Sequence, residues 1–212
     1  MRSLLRTLAI WRVHPAWYVF VLLTPFALTA VSAHLSELGP TLHHNFDAAA
    51  VLAGAPLTLA VALPFGPLGE ELGWRGYALP RLLDRYGPCR ASLTLGARWT
   101  FWHLPMILLK PGAAQPSFMP LTAGTLLVYL AQISAETGIM TFVYWHTRGS
   151  VLVAILLHLA FNTPEALFFA GLPPVAADTQ RHVYLINVAL LCVVAAACLV
   201  LLGRRGRRPG PR

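Results

Sequence analysis

The sequence predicts an all-α, polytopic transmembrane helix bundle of about six spans plus a short interfacial helix. Three observations carry that prediction. Of 212 residues, 57% are hydrophobic and 11% charged, with a mean hydropathy of +0.62, whereas a soluble domain carries about 25% charged residues. Apolar runs recur at close to the ~20 residues a helix needs to cross a bilayer. The basic residues cluster beside alternate runs, as they do in loops on a cytoplasmic face. The net charge of +8 therefore reads as contact with an anionic membrane surface, not with nucleic acid. Cys89, Cys192 and Cys198 show no CxxC spacing, so neither a disulfide framework nor a thiolate metal site is predicted.

Taken in order, residues 1–47 form an amino-terminal segment and the first span. Arg2, Arg6 and Arg12 lie among apolar residues in a pattern suited to the membrane interface. The first span covers about 17–33; its Val31-Ser32-Ala33 resembles a signal-peptide cleavage site, but the apolar core starts late and runs long, which predicts an uncleaved anchor. The stretch 34–47 is polar, with His34, Glu37, His43, His44 and Asp47 and no Lys or Arg. Its spacing matches no metal-ligand pattern, so it reads as a solvated exterior loop.

Residues 48–170 hold most of the remaining polar groups. The second span, about 48–68, is interrupted near its end by Pro64, Gly66 and Pro67. Broken backbone at membrane depth is tolerated only where protein or a water-filled cavity satisfies it. Directly after the break comes Gly69-Glu70-Glu71-Leu72-Gly73-Trp74-Arg75, and ionisable groups beside an apolar run are functional candidates by default. A short interfacial helix follows before Gly87-Pro88. The third span, about 93–109, contains Trp99, His103 and Pro105; the fourth, about 121–145, contains Gln132, Ser134 and Glu136. A tight Thr147-Arg148-Gly149 turn leads into the fifth, about 150–169, with His158 and Asn162. Residues 171–212 supply a Pro-rich loop, the sixth span at about 183–202, and a basic tail of Arg204, Arg205, Arg207, Arg208 and Arg212.

Loop charge orients these spans. The amino terminus, the 73–98 loop, the Arg148 turn and the tail are basic, whereas 34–47, 110–120 and 171–181 are not. The alternation places both termini and the acidic stretch at the cytoplasmic face. The expected location is the plasma membrane of a prokaryote.

On a helix, Glu71 and Arg75 at i, i+4 can pair, while Glu70 points elsewhere and stays free. At 1.5 Å per residue, His158 lies ~12 Å into its span and His103 ~15 Å into its own, with Glu136 about as deep. His158 and Asn162 share a helix face, as do Trp99 and His103. Each polar residue taken singly suits a packing role; their coincidence in depth with Glu70 argues against that for all of them. Two histidines, a carboxylate and an amide are the parts of a divalent-metal site, or equally of a carboxylate-activated water with donors for an oxyanion.

These residues also carry a resemblance. Gly-Glu-Glu-Leu-Gly-Trp-Arg-Gly-Tyr with Glu70, Glu71 and Arg75, the Trp99-x-x-x-His103-Leu-Pro segment, and Thr147-Arg148-Gly149-Ser150 followed by His158-x-x-x-Asn162 resemble the CPBP (Abi, CAAX-protease and bacteriocin-processing) family of intramembrane proteases, over about 48–169. Two departures stand out: Trp99 replaces the usual Phe, a swap that reads as mild, and the chain begins later than typical members, which have one or two more amino-terminal spans. The resemblance implies endopeptidase activity on a membrane-associated or lipidated peptide at the cytoplasmic face. The catalytic candidates are Glu70, Glu71, Arg75, His103, His158 and Asn162: Glu70 as general base assisted by His103, His158 and Asn162 as oxyanion donors, and Glu71 holding Arg75. If a metal such as zinc takes part, Glu70, His103 and His158 are its ligands; a metal-free glutamate mechanism has an equal physical case. Two other classes remain open: a non-proteolytic bacteriocin-immunity or accessory protein binding a partner through the same helices, and a small transporter, against which no inverted repeat is visible.

Overall fold

A computed structural model describes residues 6–64, 66–109, 116 and 118–204. Arg2, Lys110, Arg205, Arg207, Arg208, Arg212 and the side chain of His43 lie outside the described residues. All regular elements described are helical: α1 (Pro15–Leu35), α2 (Gly39–Asn45), α3 (Ala48–Ala62), α4 (Pro67–Gly73), a π-helical turn (Trp74–Ala78), α5 (Leu79–Tyr86), α6 (Pro88–Leu109), α7 (Ala123–His146), α8 (Val151–Asn162), α9 (Pro164–Ala170) and α10 (Ala177–Arg204). The chain is a polytopic all-α bundle, as the composition requires.

By length and apolarity the described helices supply three to five of the six spans expected. Helices α1, α7 and α10 are each long and apolar enough to cross a bilayer, and counting two bent pairs as single spans raises the total to five. One pair is α3 with the Pro67–Tyr86 stretch, bent by 44°; the other is α8 with α9, bent by 42°. Helix α6 has the length, at 22 residues, but Arg90, Arg98 and His103 lower its apolarity. The 34–47 stretch also differs from a plain loop, because Gly39 and Pro40 open the short helix α2.

Local chemistry sets most of the boundaries. Asp47 caps α3 by accepting from the Ala49 and Ala50 N–H groups, and Thr122 and Thr125 form a capping box at the start of α7. Ser150 caps α8 through the Val153 N–H. The α7–α8 turn places Arg148 at φ 58° and Gly149 at φ 80°, which reverses the chain within three residues as expected.

Helix α7 is the central post, packed against α6 on one side and α10 on the other, while α1 lies against α8 and α10. Small residues permit the close crossings. A Cβ at Gly96 of α6 would sit 2.7 Å from the Ser134 Cα of α7, and one at Gly138 would sit 3.3 Å from Leu199 of α10. Trp99, Ile139, Met140, Val143 and Leu157 fill the interior, and Leu23, Leu52, Leu57, Leu127 and Val193 face outward, as lipid-exposed helices require. The α3–α4 break brings the acidic stretch against α6 and α8.

Candidate active site

Adjacent carboxylates leave a helix about 100° apart, and Glu70 and Glu71 are sorted accordingly. Glu71 turns inward, where it and Arg75 are both 0% exposed. Its Oε1 accepts from Arg75 Nη1 at 2.7 Å and from His158 Nδ1 at 2.8 Å. The Arg75 side chain lies in the π-helical turn, a geometry found disproportionately at functional sites. There the guanidinium reaches Thr137 Oγ1 at 3.4 Å and stacks 4.4 Å from the Trp99 ring. The i, i+4 pairing read from the sequence is present as a buried contact, and it extends to His158.

Glu70 turns toward the cavity. It is not free, as the sequence suggested: its Oε2 accepts the Trp99 indole N–H at 2.6 Å and the Trp74 indole N–H at 3.3 Å. Tryptophan at position 99, read from the sequence as a mild replacement for phenylalanine, supplies a donor that phenylalanine lacks. Glu70 Oε1 remains open and lies 4.0 Å from His103 Nε2. His103 Nδ1–H donates to the Trp99 carbonyl at 2.9 Å, so in the neutral imidazole Nε2 is an unprotonated acceptor. A 4.0 Å separation is too long for a direct hydrogen bond and suits a bridging water.

The third edge of the site comes from α8. With Nδ1 held by Glu71, His158 presents Nε2 to the cavity, and Asn162 follows one turn later. Gly66, in the α3–α4 break, marks where these groups converge. A Cβ built there would lie 3.6 Å from Asn162 Nδ2, 3.7 Å from Glu70 Oε1 and 3.9 Å from His158 Nε2. One atom-sized space thus touches three candidate groups.

Glu70, His103, His158 and Asn162 all line one cavity of ≈ 390 Å³, within the size range of ligand sites. Glu71 and Arg75 stand behind it. Glu136, at the depth the sequence suggested, lines the same cavity, as do Tyr129, Glu165 and Tyr184, which sequence reading did not single out. Glu165 carried a usable signal, a carboxylate inside an apolar span; the two tyrosines carried none.

Among the described residues no three His, Cys, Asp or Glu side chains come together to hold a metal. His158 Nε2, His103 Nε2 and Glu70 Oε1 nevertheless stay open toward the cavity, and a ligating imidazole ordinarily gives its other N–H to a carboxylate or carbonyl, as both histidines do here. No step below runs through a metal.

Two comparisons bear on the family. The model of the "Type II CAAX prenyl endopeptidase Rce1-like" family matches residues 52–164, more than half of the chain and the stretch holding all six candidate residues. The chain is also similar to a "CAAX prenyl protease 2" of Methanococcus maripaludis, 30% identical over 131 residues. That match covers 62% of this chain and 45% of the relative, so the chain corresponds to less than half of the relative's length. The helical bundle, the convergent glutamate, histidines and asparagine, and the extent of the family match lead to one assignment: this integral membrane protein belongs to the Rce1-like family of type II CAAX prenyl endopeptidases.

Proposed function

We propose that the protein is an intramembrane endopeptidase that hydrolyses a peptide bond of a lipidated or membrane-associated substrate near the cytoplasmic face. The observation that carries this reading is Glu70 Oε1 facing His103 Nε2 across 4.0 Å, with its other oxygen fixed by two indole donors. A water in that gap donates one proton toward each acceptor and aims a lone pair into the cavity. Glu70 takes a proton as the water oxygen attacks the carbonyl carbon. The resulting oxyanion lies against Asn162 Nδ2–H and the cavity-facing ring edge of His158, whose ring Glu71 orients. Collapse breaks the C–N bond, and the proton held by Glu70 passes to the leaving amine, giving a new carboxylate and a new amino group.

Loop charge supports the orientation: basic residues flank the site in the sequence, as they do on a cytoplasmic face. The substrate class rests on the family and on the relative's name. The test is cleavage of a fluorogenic, lipid-anchored peptide by purified protein in detergent, comparing wild type with Glu70→Ala, each with and without a strong chelator. Activity lost in the variant and retained under chelation supports the glutamate-activated water. Activity lost under chelation and restored by zinc assigns Glu70, His103 and His158 to a metal instead. No cleavage by folded wild-type protein favours the partner-binding alternative.

A further inference from the structure

The same cavity is lined by a second set of polar groups, Tyr129, Gln132, Glu136, Glu165, Tyr184 and Asn187, with Tyr129 packed edge-on against His103. Here the hydrogen-bond donors are largely consumed internally. The Tyr184 hydroxyl donates to Gln132 Oε1 at 2.6 Å, Gln132 Nε2 donates to Glu136 Oε1 at 2.9 Å, and Asn187 Nδ2 donates to Thr29 Oγ1 at 2.9 Å. Acceptors are left over. Glu136 Oε2, the Glu165 carboxylate and the Asn187 side-chain oxygen receive no hydrogen bond from a described side chain.

Burial makes this surplus informative. Glu136 is 4% exposed and only one of its two oxygens has a donor, Gln132, and leaving a carboxylate oxygen unpaired in a buried site is costly. Tyr129 is also 4% exposed and lines the cavity, and its hydroxyl has no hydrogen-bond partner among the described residues. Three carboxylates, Glu70, Glu136 and Glu165, line the cavity, and among the described residues no Lys or Arg does. Arg75, the nearby guanidinium, is committed to Glu71. No three ligands are set to grip a metal ion, so the complementary occupant is an organic cation with several N–H donors.

We infer that this polar set forms a subsite for a cationic side chain, lysine or arginine, of the peptide substrate. An ammonium supplies three donors and a guanidinium five, matching the unspent carboxylate, amide and phenol oxygens. The rings of Tyr129 and Tyr184 add walls on which a cation sits favourably. Because the subsite shares its cavity with Glu70 and His103, it reads a residue close to the scissile bond. The inference rests on the endopeptidase reading, and its test separates the two.

Internally quenched, lipid-anchored peptides carrying Lys, Arg, norleucine or Glu at successive positions around the scissile bond are compared by kcat/KM. At one position Lys or Arg exceeds norleucine by about tenfold or more, equivalent to about 1.4 kcal/mol, and Glu is poorest. In Glu136→Gln and separately in Glu165→Gln, the Lys-to-norleucine ratio falls toward one; two variants are used so that a folding defect in either leaves the other informative. A ratio near one at every position in wild type, or a ratio unchanged in both variants, overturns the subsite. Binding of the Lys and norleucine peptides to Glu70→Ala protein, read by fluorescence anisotropy, reports the subsite without hydrolysis. Tighter Lys-peptide binding alongside no wild-type turnover keeps the subsite and removes the protease reading; equal binding alongside turnover does the reverse.

Discussion

Replacing Glu71 by alanine tests the claim that the site rests on a buried ionic scaffold. The carboxylate makes two charge-assisted hydrogen bonds, at 2.7 and 2.8 Å, with both it and Arg75 fully buried. Removing it leaves the Arg75 guanidinium with one 3.4 Å contact to Thr137 and the face of Trp99. Breaking a buried pair from one side costs about 3–5 kcal/mol, because an uncompensated charge stays behind. Two lost charge-assisted hydrogen bonds, at about 1.5–3 kcal/mol each, give a similar figure. Replacing both partners with apolar residues of similar volume is far less costly, so Glu71→Leu with Arg75→Met is expected to be more stable than Glu71→Ala alone. Equilibrium unfolding in mixed dodecyl maltoside and dodecyl sulfate micelles, followed by the fluorescence of the chain's 6 tryptophans, reads the difference. A Glu71→Ala cost below about 1 kcal/mol, or a double variant no better than the single one, would refute the reasoning.

Other substitutions separate geometry from stability. Trp99→Phe keeps a ring under Arg75 but deletes the 2.6 Å donor to Glu70; kcat is expected to fall about tenfold or more with KM little changed, as measured by steady-state peptide cleavage. Gly66→Ala places a methyl group at ordinary contact distance from Asn162, Glu70 and His158, so cleavage should drop at least tenfold, and an intact thermal transition would show that the loss comes from filling the space. Asn162→Ala removes one oxyanion donor and is expected to lower kcat by about 10²–10³-fold. Gly96→Ala drives a methyl against the α7 backbone at Ser134 and should destabilise the bundle by about 1–3 kcal/mol in the same unfolding assay.

The parts of the site legible in the sequence were those set by short-range geometry. Glu71 and Arg75 are one helical turn apart, as are His158 and Asn162, and those relations survive in any helix. The break at Pro64, Gly66 and Pro67 was visible because those residues interrupt a helix wherever they fall. What stayed hidden depends on distant packing. His158 and Glu71 meet across 87 positions, and no periodicity links them. Glu70 was read as free because its indole partner Trp99 comes from another helix. The α8–α9 bend was missed because an apolar run through Thr163 and Pro164 looks continuous by composition, although proline at the first turn of a new helix is well tolerated. The sixfold span pattern followed from loop charge, which counts α6 as a crossing despite its polar residues.

The most direct test of the central claim is kcat/KM for Glu70→Gln on the lipid-anchored peptide. Glutamine preserves the shape and one acceptor oxygen toward the indoles of Trp99 and Trp74, yet it cannot take a proton from water. The account predicts a loss of about 10²–10⁴-fold with the fold unchanged. Activity within a few-fold of wild type would contradict it.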